Sequence, residues 1–180
     1  MDAGEVVRTE LLAPGSHPLH EHWAGVLRHE RIPMVSYPSE WSFEMLRDAA
    51  LAHLDLSRRA IAAGLSTKDA SSFNVTFDGT RPVFLDVGSF EVPRRAEAWA
   101  GYRQFGDHFL DPLVLQAQGG AAFHPWLRGT VNGISPADVA SLVPLRRRLR
   151  KGLAVHVTAA ARTERKALAA PEGADLQGRR

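Results

Sequence analysis

The clearest periodic pattern in the sequence lies between Ser42 and Ala63. Apolar residues recur there near the 3.6-residue period of an α-helix, namely Leu46, Ala49, Ala50, Leu54 and Ile61. Ser42 can accept a hydrogen bond as the N-cap, and Gly64 can adopt the positive φ at which many helices end. The pattern predicts an amphipathic helix over 42–63.

The segment that follows this helix predicts a β-hairpin. Phe73, Val75 and Phe77 alternate with polar residues, as in a strand with one buried face. Asp78-Gly79 is a hairpin-turn signal, and Val83-Phe84-Leu85 supplies the returning strand. Before the helix, residues 32–38 are predicted to be an extended segment bounded by prolines.

The carboxyl-terminal half carries mostly helical patterns. Residues 97–118 are predicted to be largely helical, with Pro112 kinking or dividing the helix. The aromatic residues of this stretch are assigned to the core: Trp99, Tyr102, Phe105 and Phe109. Residues 123–127 are predicted to be a connecting segment. Ser135-Pro136 predicts the start of another helix, 153–170 predicts a final one, and a frayed end is expected from Pro171 onward.

The composition is typical of a globular domain. The chain has 180 residues, of which 44% are hydrophobic and 23% charged, as in an ordinary globular domain. It has no cysteine, which excludes disulfides, zinc-thiolate sites and thiol catalysis. No apolar run is long enough to cross a membrane. A cytoplasmic protein without a membrane partner is therefore expected.

Two clusters of charged or titratable residues have plain interpretations. The basic residues between Arg146 and Lys151 are interpreted as a solvated helix face. The formal net charge of the chain is only +2, and no nucleic-acid partner is expected. His17, His20 and His22 lie close together, but Pro18 and the loop composition around them argue against a fixed metal geometry.

Three polar residues around the hairpin suggest chemistry. Positions 74 and 86 are equally distant from position 80, so a turn centred there predicts that Asn74 lies opposite Asp86. Together they offer two oxygen donors of the kind that magnesium accepts. Asp69 lies in the loop before the first strand, where a carboxylate can accept a hydroxyl proton.

The spacing of these residues resembles the catalytic motifs of protein kinases and aminoglycoside phosphotransferases. In that superfamily H-R-D-x-x-x-x-N is followed by D-F-G, and here Asp69 and Asn74 are followed by Asp86-Val87-Gly88. The resemblance implies an α+β fold, the helix-rich large lobe of a kinase-like protein with a small β-hairpin at the site. It also implies that Asp69 is catalytic, that Asn74 and Asp86 bind magnesium, and that ATP is the phosphoryl donor.

The sequence departs from this family pattern in several places. Thr67 stands where the motif has histidine, no Gly-rich loop precedes the helix, and no lysine occurs before Lys68 to pair with nucleotide phosphates. No cofactor-binding residue is therefore assigned. Arg103 is a weaker candidate for anchoring the catalytic loop from behind. These departures predict a degenerate or truncated kinase-like module.

A closer resemblance covers residues from about 29 to 157. The segments Tyr37–Ala50, Lys68-Asp69-Ala70-Ser71 and Phe84–Glu91 are similar to a bacterial group related to nodulation proteins. In that group a kinase-like segment precedes a methyltransferase domain that uses S-adenosylmethionine (SAM). The resemblance implies a methyltransferase domain or protein as the partner, with SAM bound only through that further domain.

Other interpretations stay open at this point. One alternative is a small-molecule phosphotransferase that uses ATP and magnesium and is completed by further sequence. Another is a non-catalytic interaction module. Whether the chain is an enzyme is therefore undecided. A SAM-binding turn at 83–88 is disfavoured because Phe90, Glu91 and Pro93 follow where glycines and a helix are needed. The predicted organisation is an incomplete small-lobe segment at 1–31, a large lobe at 32–160 and a charged tail at 161–180.

Overall fold

The computed structural model describes residues 4–93 and 98–168. The chain divides into two compact units, residues 1–102 and 103–180. Helices combine with small antiparallel sheets, so the architecture is α+β as predicted. The finer boundaries expected at residues 31 and 160 stay predictions. None of the described helices is both long and apolar enough to span a membrane.

The first unit is built around α1 (Phe43–Ala62). Ser42 Oγ accepts a hydrogen bond from the Met45 N–H at 3.2 Å, which caps the first turn of the helix. Gly64 follows the C-cap Ala63 and has φ of 77°, a conformation in which a residue with a Cβ would be strained. The predicted helix and both of its end signals are confirmed.

The buried face of α1 differs from the predicted one. Its buried residues are Leu46, Ala49, Ala50, His53, Leu56, Ser57 and Ala60. Leu54 is 42% exposed and Ile61 62% exposed, so these two residues of the apolar period lie outside the buried face. The buried face of α1 includes the polar residues His53 and Ser57, which a search for apolar periodicity leaves out. The His53 ring lies 5.5 Å from the Phe84 ring.

Six short strands form two-stranded antiparallel sheets in the first unit: β1 (Thr9–Leu11) with β2 (Leu27–His29), β3 (Ser66–Thr67) with β6 (Phe90–Glu91), and β4 (Val75–Asp78) with β5 (Arg81–Phe84). The segment before β1 also runs beside β5, where the Val7 N–H donates to the Phe84 carbonyl at 2.8 Å. The amino-terminal residues are therefore part of the same unit as the hairpin.

The hairpin of β4 and β5 is present, but its register differs from the predicted one. Asp78 pairs with Arg81, so the loop is Gly79-Thr80 and its centre lies between these two residues. Continuing the ladder places Asn74 beside Leu85, whose N–H donates to the Asn74 carbonyl at 2.8 Å. The prediction that Asn74 lies directly opposite Asp86 was wrong by one residue, because the turn was centred on residue 80.

The first strand of the hairpin also starts later than predicted. Phe73 and Asn74 belong to a 3₁₀ turn (Ser72–Asn74), and β4 begins at Val75. Val75, Thr76 and Phe77 are all buried, so both faces of the strand are covered and the simple alternation is misleading.

The extended segment before α1 covers the face of β4 that carries Thr76. The Ser36 N–H donates to Thr76 Oγ1 at 3.2 Å. The fully buried Trp41 packs edge-on against Phe77, with ring centroids 5.1 Å apart, and donates from its indole nitrogen to Ser36 Oγ at 2.9 Å. These contacts hold the hairpin against the segment that enters the helix.

The remaining described residues are mainly helical: α2 (Tyr102–Phe105), a π-helical turn (Gly106–Leu110), α3 (Asp111–Val114), a second π-turn (Leu115–Gly119), α4 (His124–Gly129), α5 (Pro136–Leu142), α6 (Leu145–Arg148), a third π-turn (Ala154–Ala159) and α7 (Ala160–Leu168). The predicted helix over 97–118 is confirmed from Tyr102 onward, and Glu97 lies outside the described residues. Residues 169 and 170 of the predicted last helix, and the end from Pro171, also lie outside them.

Two local signals had different outcomes. Ser135 caps α5 by accepting from the Asp138 N–H at 3.2 Å, as the Ser-Pro pair predicts. The segment 123–127, predicted to be a connection, forms most of α4, because Pro125 lies in the first turn, where its missing N–H is not needed.

The core of the second unit is aliphatic and aromatic, with Phe109, Leu115, Phe123, Ile134, Val139 and Val157 almost fully buried. Phe109 confirms the assignment of that aromatic residue to the core. Tyr102, which belongs to the first unit, is 51% exposed, so its assignment was wrong.

Candidate functional site

The hairpin brings Asn74 and Asp86 together at its open end. Asn74 closes the 3₁₀ turn before β4, and Asp86 directly precedes another 3₁₀ turn (Val87–Ser89) after β5. The Asn74 Nδ2 donates to Asp86 Oδ2 at 3.4 Å, and both side chains are partly buried. The two predicted site residues are therefore in contact although the ladder does not pair them directly.

Asp69 is attached to the segment just after Asp86. Its N–H donates to Ser89 Oγ at 3.1 Å, and the Ser89 hydroxyl donates to the Asp69 carbonyl at 3.2 Å. The Lys68 N–H adds a bond to the Ser89 carbonyl at 2.9 Å. Because Ser89 is fully buried, these bonds fix the backbone of the loop that carries Asp69.

Thr67, which stands where the kinase motif has histidine, serves the packing of the first unit. It is fully buried, and its carbonyl accepts from Trp99 Nε1 at 2.8 Å. The Thr67 hydroxyl also lies 3.1 Å from the same indole nitrogen and 3.4 Å from Ser57 Oγ. Trp99 thereby ties the chain after β6 to the strand that leads into the Asp69 loop.

The polar residues of this site do not form a dense metal cluster. Among the described residues, no group of three or more histidine, aspartate or glutamate side chains is placed to hold a metal ion. The histidines of the amino-terminal segment instead support a 3₁₀ turn (Pro18–Glu21), in which His17 Nδ1 accepts from the Leu19 N–H at 3.2 Å. At the hairpin, a magnesium ion would need the amide oxygen of Asn74, whereas the amide nitrogen faces Asp86.

A second polar cluster lies in the second unit and centres on Arg103. Its guanidinium donates to Asp107 Oδ2 at 2.9 Å and to Glu164 Oε1 at 2.8 Å. The other carboxylate oxygen of Glu164 accepts from the Ala137 N–H at 3.1 Å, at the start of α5. These bonds join the helical run after Tyr102, α5 and α7; the predicted role of Arg103 behind the catalytic loop stays a prediction.

Asp111 completes this cluster and has no counter-charge of its own. The side chain is 1% exposed, and neither carboxyl oxygen has a hydrogen-bond partner. The pKa of Asp111 is raised to about 8, chiefly by burial and also by the neighbouring Asp107 carboxylate, while Arg103 opposes the effect. Asp111 is therefore held as a neutral acid at pH 7.

The backbone around Asp111 is irregular for an identifiable reason. In the π-turn the Asp111 N–H donates to the Gly106 carbonyl, so the next carbonyl, that of Asp107, would need the N–H that Pro112 lacks. The Ile134 N–H donates to it instead, at 2.8 Å. Gly133 makes this approach possible, because it has φ of 78° and a Cβ there would collide with the Asp107 carbonyl oxygen.

Comparison with known proteins gives one relative. The chain is 35% identical over 158 residues to the nodulation protein NoeA of Rhizobium meliloti (strain 1021). The chain has a nodulation-related relative. The match covers 87% of this chain but 33% of the relative, so the chain spans about a third of that protein's length. No protein-family model matches the chain, and no solved structure does either.

Sequence reasoning found the hairpin residues but missed Asp111. A signal was available, since Asp107 and Asp111 are four residues apart in one helical run and Asp111 directly precedes Pro112, which disrupts the hydrogen-bond ladder. Nothing in that signal indicates burial, and burial gives Asp111 its unusual pKa. A strongly perturbed group of this kind identifies a candidate site in its own right.

Proposed function

We propose that this chain is a degenerate kinase-like module of a longer, nodulation-related protein. In this proposal Asp69, Asn74 and Asp86 stand at the positions of a phosphotransferase site and are retained as structural polar groups. The observation that supports it is the hydrogen bond from the Asn74 amide to Asp86 at the end of the hairpin. In a phosphotransferase, Asn74 and Asp86 would bind a metal ion together. Here the Asn74 amide donates a hydrogen bond to the Asp86 carboxylate instead.

The residues before Lys68 in this chain lack groups on which phosphotransfer depends. That reaction depends on positioning and on neutralising phosphate charge, which kinases achieve with a lysine, a Gly-rich loop and magnesium. No lysine occurs before Lys68, and no Gly-rich loop is present in the first part of the chain. ATP binding to this chain is accordingly expected to be weaker than about 1 mM.

The longer protein supplies the context for such a module. The relative is about three times as long as the matched region, which leaves room for further domains. In this proposal one of them is a methyltransferase domain that uses SAM, and the present chain is its non-catalytic partner. A chain containing both parts is expected to bind SAM, whereas this chain alone is not.

Magnesium-dependent melting tests the proposal. The wild type, Asp86→Asn and the control Asp78→Asn are heated with and without 10 mM magnesium, with equal ionic strength throughout. Asp78 is a matched control because it lies at the other end of the same hairpin and is about half exposed. Only a small magnesium shift is expected in all three proteins, because a ligand raises the melting temperature only where it binds the folded state.

Two results would overturn the degenerate-module proposal in favour of a phosphotransferase. One is a large magnesium shift in the wild type and in Asp78→Asn that disappears in Asp86→Asn. The other is micromolar ATP affinity in calorimetry with magnesium present.

A further inference from the structure

Positive charge is concentrated in one stretch of the second unit. Between Asp138 and Glu164 the sequence has no acidic residue, yet it carries six arginine and lysine residues: Arg146, Arg147, Arg148, Arg150, Lys151 and Arg162. The whole chain has a formal net charge of only +2, so the other regions largely balance themselves. Five of these six residues lie in α6 or in the turn that follows it, so positive charge is densest there.

The basic side chains of this stretch divide into two groups. Arg147 donates to the Gln118 carbonyl at 2.6 Å, and Arg148 is partly buried. Arg146, Arg150 and Lys151 are exposed. Arg147 therefore fixes the segment on the second unit, and the exposed cations project from a positioned surface.

Large aliphatic side chains accompany the exposed cations. Leu145 is 54% exposed, Leu149 is 55% exposed and Val155 is 63% exposed. Leu149 directly follows α6, and its N–H donates to the Leu145 carbonyl at 3.1 Å, so the two exposed leucines lie one helical turn apart. No aromatic residue occurs between 145 and 156.

We propose that this surface, the α6 surface, formed by Leu145, Arg146, Leu149, Arg150 and Lys151, binds anionic phospholipid membranes. Exposed aliphatic side chains can enter the boundary between headgroups and acyl chains while arginine and lysine pair with lipid phosphates and carboxylates. The sequence analysis expected no membrane partner because no apolar run is long enough to cross a membrane, a criterion that does not test binding at the membrane surface.

The composition of the surface favours lipid over other anionic partners. Exposed leucines gain nothing from contact with a phosphate backbone, and single-stranded nucleic acid would need aromatic side chains for stacking. Protein interfaces are enriched in aromatic residues, which this stretch lacks. A lipid surface makes use of both the cations and the aliphatic side chains.

Vesicle flotation of the full chain tests this inference. Binding is measured on vesicles of phosphatidylcholine alone and of phosphatidylcholine with 30% phosphatidylserine, at rising sodium chloride. Binding is expected only with phosphatidylserine and is expected to weaken with salt. Each basic residue near an anionic membrane contributes about fivefold, so changing Arg146, Arg150 and Lys151 to glutamine should weaken binding by about 100-fold.

Matched variants separate this surface from overall charge. Changing Arg8, Arg31 and Arg128 to glutamine alters the net charge by the same amount at exposed positions elsewhere and should leave binding within a fewfold of the wild type. Leu145→Ser combined with Leu149→Ser should weaken binding while leaving its salt dependence in place. Circular dichroism checks that every variant is folded.

Several outcomes would overturn the inference. They are the absence of binding to phosphatidylserine vesicles at low salt, equal loss in both triple variants, and leucine variants that bind like the wild type. Tighter binding to a DNA duplex or to polyglutamate than to the vesicles would assign the surface to nucleic acid or to an acidic protein instead.

Discussion

Asp111→Asn should stabilise the protein, and the gain should grow with pH. The substitution keeps the size and shape of the side chain and removes its ability to ionise. In the wild type, the pKa of Asp111 is raised from the ordinary 3.8 to about 8, chiefly because the carboxyl is buried. The consequence for stability follows from proton linkage.

The sign of the pH dependence is fixed by the direction of that pKa change. At pH values below about 4 the carboxyl is protonated in both the folded and the unfolded chain. Between pH 4 and pH 8 the unfolded chain releases the proton and the folded chain keeps it, so the free energy of unfolding falls by about 1.36 kcal/mol per pH unit. The total loss by pH 8 is roughly 5 to 6 kcal/mol, and above pH 8 it no longer grows.

Urea denaturation of the wild type and Asp111→Asn, followed by circular dichroism at pH 5, 6, 7 and 8, measures this effect. The buried His53 and His108, whose pKa values burial lowers to about 4, also change stability with pH, but in the opposite direction. Their contribution is present in both proteins and cancels in the difference. The difference in free energy of unfolding between the variant and the wild type is expected to rise by at least about 2 kcal/mol from pH 5 to pH 8.

An exposed aspartate provides the control. Asp78→Asn, at an exposed hairpin position, should show no such growth with pH. If Asp111→Asn destabilises the protein by a constant amount at every pH, Asp111 is an ionised group with a partner. The account of a buried, neutral acid would then be wrong.

Five further substitutions test the packing. Gly133→Ala should cost at least about 2 kcal/mol, because it combines strain at φ of 78° with a collision at the Asp107 carbonyl. Gly79→Ala has a similar φ of 62° but nothing within 4 Å of the added Cβ, so urea denaturation should show a cost of only about 1 kcal/mol. Trp99→Phe should lose about 1–3 kcal/mol by leaving the buried Thr67 carbonyl short of its donor, whereas Trp23→Phe, 66% exposed, should be near neutral. Ser42→Ala should lower the free energy of unfolding by about 1 kcal/mol through the lost N-cap, and equal stability to wild type would contradict the capping role.

Local signals in the sequence determined the elements that depend on neighbouring residues. Ser42 and Gly64 bound α1, and Ser135-Pro136 begins α5, because caps satisfy backbone groups within one turn. The hairpin followed from a short glycine-containing turn between two apolar runs. Its register was missed by one residue, because a turn signal spans several residues and the hydrogen-bond ladder fixes which two of them form the loop.

Tertiary structure decided burial, and with it most of the chemistry. Leu54 and Ile61 look like core residues by period, but the rest of the first unit packs on the neighbouring stripe that contains His53. Asp111 looks like a surface residue by type, yet it is 1% exposed and neutral. A sequence pattern shows which residues share a face, whereas the packing of distant segments decides which face water reaches.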